Sequence, residues 1–109
     1  MDRPRTEAEF ERQAQLTLER LVDAISDLER DEIDADLESG VLTVAFETGP
    51  KIVINSHRAA LQIWMASGPN AWHFDLNGTH WLSEKTGAEL WANVERELSA
   101  RIGVEIALR

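Results

Sequence analysis

Residues 33–55 read IDADLESGVLTVAFETGPKIVIN, and the alternation inside them decides the fold. Ile33, Ala35 and Leu37 alternate with Asp34, Asp36 and Glu38, and Glu32 just ahead extends the acidic set. A period of two places the apolar residues on one face of a strand and the acids on the other. Ser39-Gly40 is a turn signal, Leu42, Val44 and Phe46 alternate through a second strand, and residues 47–50 (ETGP) turn the chain into a third, KIVIN at 51–55. Connections this short allow only antiparallel neighbours, so the stretch predicts a meander.

The same rhythm continues downstream. Residues 56–60 are polar and predict a short link. In a fourth strand over 61–66, Leu61, Ile63 and Met65 share one face while Gln62, Trp64 and Ala66 share the other. After a turn at 67–70 (SGPN), Trp72, Phe74 and Leu76 line one face of a fifth strand, with His73 and Asp75 opposite. Asn77-Gly78 is a hairpin signal leading to a short sixth strand, His80-Trp81-Leu82.

Helical periodicity brackets this run. From Thr6 onward Phe10, Ala14, Leu18, Leu21, Ile25 and Leu28 recur at spacings of three and four, the stripe of a helix of about five or six turns. Thr86 with Glu89 has the spacing of a capping box opening a second helix, whose buried stripe is Leu90 or Trp91, Val94, Leu98 and Ile102, with Gly103 as its C′ residue. Val104, Ile106 and Leu108 predict an extended tail against the body. Each element has one apolar face to cover. The expected fold class is therefore α+β, with two helices packed on one face of an antiparallel sheet of about six strands and the other face left to solvent. At 109 residues, one domain over 1–109 is expected, with residues 1–5 frayed.

Charge is distributed unevenly. Between residues 19 and 38 lie Glu19, Asp23, Asp27, Glu29, Asp31, Glu32, Asp34, Asp36 and Glu38 against Arg20 and Arg30, so this stretch holds −7 of the chain's −9. On the helix Glu19, Asp23 and Asp27 follow at i, i+4, where like charges cost about 0.2–0.5 kcal/mol per pair. Asp23 and Asp27 also sit toward the helix C-terminus, the end that favours cations. The acidic balance opposes nucleic-acid binding and suits cations or basic protein surfaces. With no cysteine there is no disulfide, thiolate metal site or thiol nucleophile, and the charged first 21 residues hold no apolar run that would serve as a signal peptide or membrane span. A cytoplasmic protein without membrane association is expected.

Carboxylates are hard ligands, suited to Mg²⁺, Ca²⁺, Mn²⁺ and iron. An EF-hand begun at Asp31 fails on spacing, since Ile33 and Leu42 would fall on ligand positions. A charged outer face on a first strand also keeps a sheet edge from pairing, so the acids read either as a solvating face or as a cation-attracting one. Trp64, flanked by the amides of Asn55 and Gln62, reads either as a protein-contact residue on the open sheet face or as one covered by a neighbour. Trp72, Trp81 and Trp91 fall on apolar stripes and are assigned to the core. His57, His73 and His80 form no metal or triad pattern and read as surface residues, His73 beside Asp75 being the best exception. No nucleophile elbow and no glycine-rich phosphate loop is present, and no enzymatic activity is expected.

The acidic helix end and first strand, followed in order by GVLTVAFETGPKIVIN (40–55), LQIWMAS (61–67), WHFDLNGTHW (72–81) and TGAELW (86–91), resemble the bacterial frataxins, the CyaY family. The resemblance implies the same two-helix, one-sheet fold. It also implies a role in iron-sulfur cluster assembly, with weak binding of ferrous and ferric iron by Glu19, Asp23, Asp27, Asp31, Asp34 and Asp36. Glu29 and Glu32 beside them, with Asn55, Gln62 and Trp64, become the implied surface for a cysteine desulfurase and the cluster scaffold protein. A monomer is implied, with oligomers forming on iron. Here Val22, Ala24 and Ser26 interrupt the acids of the helix end, where the family often has adjacent acidic pairs.

Overall fold

A computed structural model describes residues 6–109; the fraying expected at residues 1–5 lies outside them. The elements run α1 (Glu7–Ser26), β1 (Ile33–Glu38), β2 (Val41–Phe46), β3 (Ile52–His57), a 3-10 turn (Arg58–Ala60), β4 (Gln62–Ser67), β5 (Asn70–Asn77), β6 (His80–Leu82) and α2 (Leu90–Ile102). The strands lie side by side in chain order, every neighbour antiparallel, so β1 and β6 are the two edges. The meander is as read from residues 33–55. Its first corner shows why two residues suffice: Ser39 and Gly40 both take positive φ, 52° and 77°, the twist that matches two right-twisted strands.

The inward set of the sheet, Leu42, Val44, Ile52, Ile54, Ile63, Met65, Phe74, Leu76 and Trp81, forms one buried cluster with Phe10, Ala14, Leu18, Leu21 and Ile25 of α1 and Leu90, Val94 and Leu98 of α2. Both helices thus cover the same sheet face. Thr6 caps α1 by accepting from the Glu9 N–H at 3.1 Å, and the Trp81 indole donates to Thr17 Oγ1 at 3.0 Å while packing edge-on against Phe10. This pins the short edge strand β6 to the helix. The tail lies extended as expected, with Ile106 buried and its N–H donated to Ser99 Oγ at 2.8 Å.

Several boundaries differ from expectation, among them the turn read at 67–70, where Ser67 and Asn70 pair and leave a two-residue loop, and four more have a local physical cause. First, α1 stops at Ser26 with Asp27 as C-cap, and Leu28 packs on the core from the following turn rather than from the helix. Glu29 at φ 52° redirects the chain there. Second, β3 runs two residues further, through Ser56 and His57, because their backbone pairs with Ile63 and Gln62. Leu61, expected to open β4, instead ends the 3-10 turn in the left-handed region at φ 54°. Third, Asn77 pairs with His80, so the last hairpin loop is Gly78-Thr79, one residue later than the Asn-Gly signal suggested, with Gly78 supplying the positive φ of 66°. Fourth, Glu89 itself caps α2, its carboxylate accepting from Trp91 N at 3.0 Å and Ala92 N at 3.1 Å, while Thr86 Oγ1 accepts from Ala88 N in the preceding loop. The Leu82–Glu89 bridge and the Ser83 N–H donated to Ala88 O hold residues 83–88 in a tight loop, which leaves no room for helix before Leu90.

Candidate metal and partner surface

Two regions beyond the core carry chemistry. The first is the acidic ridge. Glu19 and Asp23 lie exposed on α1, Asp27 at its C-cap, Glu29 and Asp31 in the following turn, and Asp34, Asp36 and Glu38 on the outward face of the edge strand β1. The ridge therefore runs continuously from a helix end, around a turn, onto a sheet edge. Glu29, Asp31 and Asp34 line one open pocket of about 310 Å³ with Ser26 and Arg30. α1 has no basic residue in its last turn to offset these charges.

Among the described residues, Asp23, Asp27, Asp31, Asp34 and Asp36 have no side-chain hydrogen bond or ion pair. Glu19 accepts from Gln15 Nε2 at 3.1 Å. Glu32 differs from the rest: it is paired with Arg30 at 3.0 Å and faces a separate depression with Phe46, Thr48 and Arg101. A backbone hydrogen bond, and after it the Arg30 guanidinium, hold its carboxyl below the usual glutamate range. No group of three or more histidines or carboxylates converges as a ready ligand set among the described residues. The donor chemistry of the ridge suits hard cations, held by local field with few ligands each.

The second region is the open face of the sheet. Its outward residues meet in rows across the strands: Glu38–Val41–Asn55–Trp64–His73 is one row, and His57–Gln62–Asp75 is the next. The expected trio Asn55, Gln62 and Trp64 is thus brought together. Trp64 Nε1 donates to Gln62 Oε1 at 2.8 Å, and Gln62 Nε2 donates to Asp75 Oδ1 at 3.2 Å. Asn55 instead donates to the Ser56 carbonyl at 3.3 Å.

Two histidines complete the arrangement. The His57 ring stacks on one face of Trp64 at 3.8 Å and 9°, and His73 on the other at 4.2 Å and 11°. Aromatic pairs of this kind contribute about 0.5–1.5 kcal/mol each beyond their buried area. Residue chemistry alone did not anticipate the sandwich. His73 was within reach, since a two-residue loop at Gly68-Pro69 sets it directly across from Trp64. His57 was not, because its position depends on the two-residue extension of β3. Trp81 is buried as expected, whereas Trp72 and Trp91 are half-buried at the core's margin.

Comparison with known proteins gives a consistent picture. The model of the frataxin-like domain matches residues 3–104. A frataxin from Psychromonas ingrahamii, of the CyaY protein family, is similar in fold with a TM-score of 0.88 at 22% identity, over 95% of this chain and 98% of that one. A trimeric frataxin from the yeast Saccharomyces cerevisiae, complexed with ferrous iron, is similar at a TM-score of 0.75 and 30% identity, over 84% of this chain and 86% of that one. A further yeast frataxin structure is similar at a TM-score of 0.70 and 30% identity, over 88% and 82% of the two chains.

Proposed function

The chain belongs to the frataxin-like family, and from that premise we propose that it binds iron loosely on the acidic ridge, in the ferrous and ferric states, and serves iron-sulfur cluster assembly as an iron donor or sensor regulating the cysteine desulfurase. The observation that carries this reading is the row of carboxylates on Asp23, Asp27, Asp31, Asp34 and Asp36, without side-chain partners among the described residues and exposed along one continuous surface. Oxygen donors without internal partners are free to take a hard cation, and with few of them in reach of any one ion the cargo is released easily. The ferrous complex of the yeast relative supports iron as that cargo.

The same negative field steers a basic patch of the desulfurase onto the ridge, and the neighbouring sheet face, centred on Trp64, adds a desolvated aromatic anchor, with Asn55 and Gln62 beside it and the cluster scaffold in the same assembly. The protein acts in the cytoplasm as a binding partner without turnover of its own, monomeric until iron drives association. No helix among the described residues is long and apolar enough to cross a membrane.

A second reading, a docking module that needs no metal, is favoured by one observation: no ready-made cluster of metal-binding side chains exists among the described residues. One variant separates the two. In D23N/D27N/D31N/D34N, anaerobic ferrous titration followed by NMR should lose the broadening along residues 19–38, and desulfurase affinity should fall about tenfold or more. Unchanged titration and affinity would sink the proposal. Loss of desulfurase affinity alone, with binding to the parent protein insensitive to chelator, would establish the docking module.

A further inference from the structure

We propose that His57 and His73 are positioning residues for Trp64, holding its indole upright on the sheet so that a partner meets its edge and never its face. The inference rests on the partner surface proposed above and deepens it.

The geometry is specific. Trp64 lies on β4, between His57 on β3 and His73 on β5, and the three ring planes agree to within 9° and 11°. Rings stacked in the direction that runs from strand to strand, at 3.8 and 4.2 Å, must stand on edge from the sheet, since neighbouring strands are themselves about 4.8 Å apart. Rotation within the ring plane is blocked by the Nε1–H donated to Gln62, whose own amide is held by Asp75. Four side chains from three adjacent strands thus fix one indole. Both of its π faces are occupied and its only N–H is spent, so the ring edge is what it offers.

That restricts the partner. The edge of an aromatic ring is the positive end of its quadrupole, so its C–H groups point favourably at a backbone carbonyl oxygen or at the face of another aromatic ring. A guanidinium laid flat on the indole, the commonest cation–π contact, is excluded unless a histidine leaves. The basic groups of the partner belong at the acidic end of the same row, where Glu38 lies on β1, and an uncharged segment belongs over Trp64. Two side chains already ordered before docking also spare the partner the entropy of ordering them.

The test uses the full chain and the cysteine desulfurase. In the free protein, the ring protons of His57 and His73 should show upfield ring-current shifts by NMR that vanish in Trp64→Ala. His57→Ala/His73→Ala should weaken desulfurase binding about tenfold by calorimetry through lost pre-organisation, and His57→Phe/His73→Phe, which restores the stack without an imidazole, should recover it to within about twofold. If the alanine pair binds like the parent while Trp64→Ala binds weakly, the positioning role is overturned and the docking surface stands. If Trp64→Ala also binds like the parent, both fall. Failure of the phenylalanine pair to recover binding, with its rings shown stacked by their shifts, also overturns the proposal. The alanine variants should lose some stability with the stacked contacts yet remain folded, because the rings lie on the open face outside the core cluster, and the phenylalanine pair should denature close to the parent.

Discussion

The acidic ridge, which runs from the end of α1 onto the edge strand β1, and the Trp64 stack on the open sheet face are built on opposite rules. Along the ridge, Asp23, Asp27, Asp31, Asp34 and Asp36 are exposed with no side-chain partner among the described residues. Around Trp64, by contrast, every element of the indole is taken: a ring on each face and an amide on the nitrogen. A surface of unmet charge acts at a distance and tolerates imprecision, while a fixed aromatic acts only on contact and demands it. The difference teaches how adjoining surfaces of one small domain can divide long-range attraction from close-range selection, the division on which the proposed function rests.

The largest expected effect comes from removing the contact half. Trp64→Ala should cost about 2 kcal/mol of desulfurase affinity, roughly 30-fold, as a central aromatic anchor does. Its salt dependence should stay that of the parent, because the ridge still steers. In D23N/D27N/D31N/D34N the pattern inverts: binding loses its steep dependence on ionic strength, readable from association rates between low and physiological salt. Equal salt slopes in the two variants would erase the comparison.

The ridge variant carries a second, smaller consequence. Removing two charges from the Glu19, Asp23, Asp27 series and two more from the adjoining turn and strand should raise stability by about 0.5–1 kcal/mol in urea denaturation. A loss of stability instead would mean that the acids support the fold, contrary to their lack of partners among the described residues.

The smallest effect concerns Glu32, the acid of the stretch that is ion-paired, with Arg30. Its carboxyl is held below the ordinary value of 4.5 by a backbone hydrogen bond and by Arg30. Its stabilising contribution is therefore full above the ordinary glutamate range and is lost as pH falls through the lowered value. Because its side chain is 39% exposed, solvent screens the interaction. Glu32→Gln should slightly narrow the gap between the urea midpoints at neutral pH and at about pH 3.

Much of this was legible from residues. The alternation of Ile33, Ala35 and Leu37 against Asp34, Asp36 and Glu38 placed the acids outward, and they are outward. The pairing of Trp64 with Gln62 and Asn55 on the open face also followed from a period of two. What failed were the ends of elements. Thr86 and Glu89 have the spacing of a capping box, yet Glu89 caps α2 alone, because a backbone bridge to Leu82 holds the loop closed up to that residue. The His57 stack was missed for the same reason: whether Ser56 and His57 continue β3 depends on what β4 offers them.

The sequence by itself determined the number and order of the elements, the face each one buries, and the concentration of −7 of the net charge in residues 19–38. These follow from local periodicity and from charges that are neighbours along the chain, so no distant contact is needed to read them. Only the tertiary structure decided that His57 and His73 close on Trp64 from both sides. That arrangement depends on strand register and on where each strand stops. Both are set by hydrogen bonds between residues distant in sequence, which no single stretch of the chain contains.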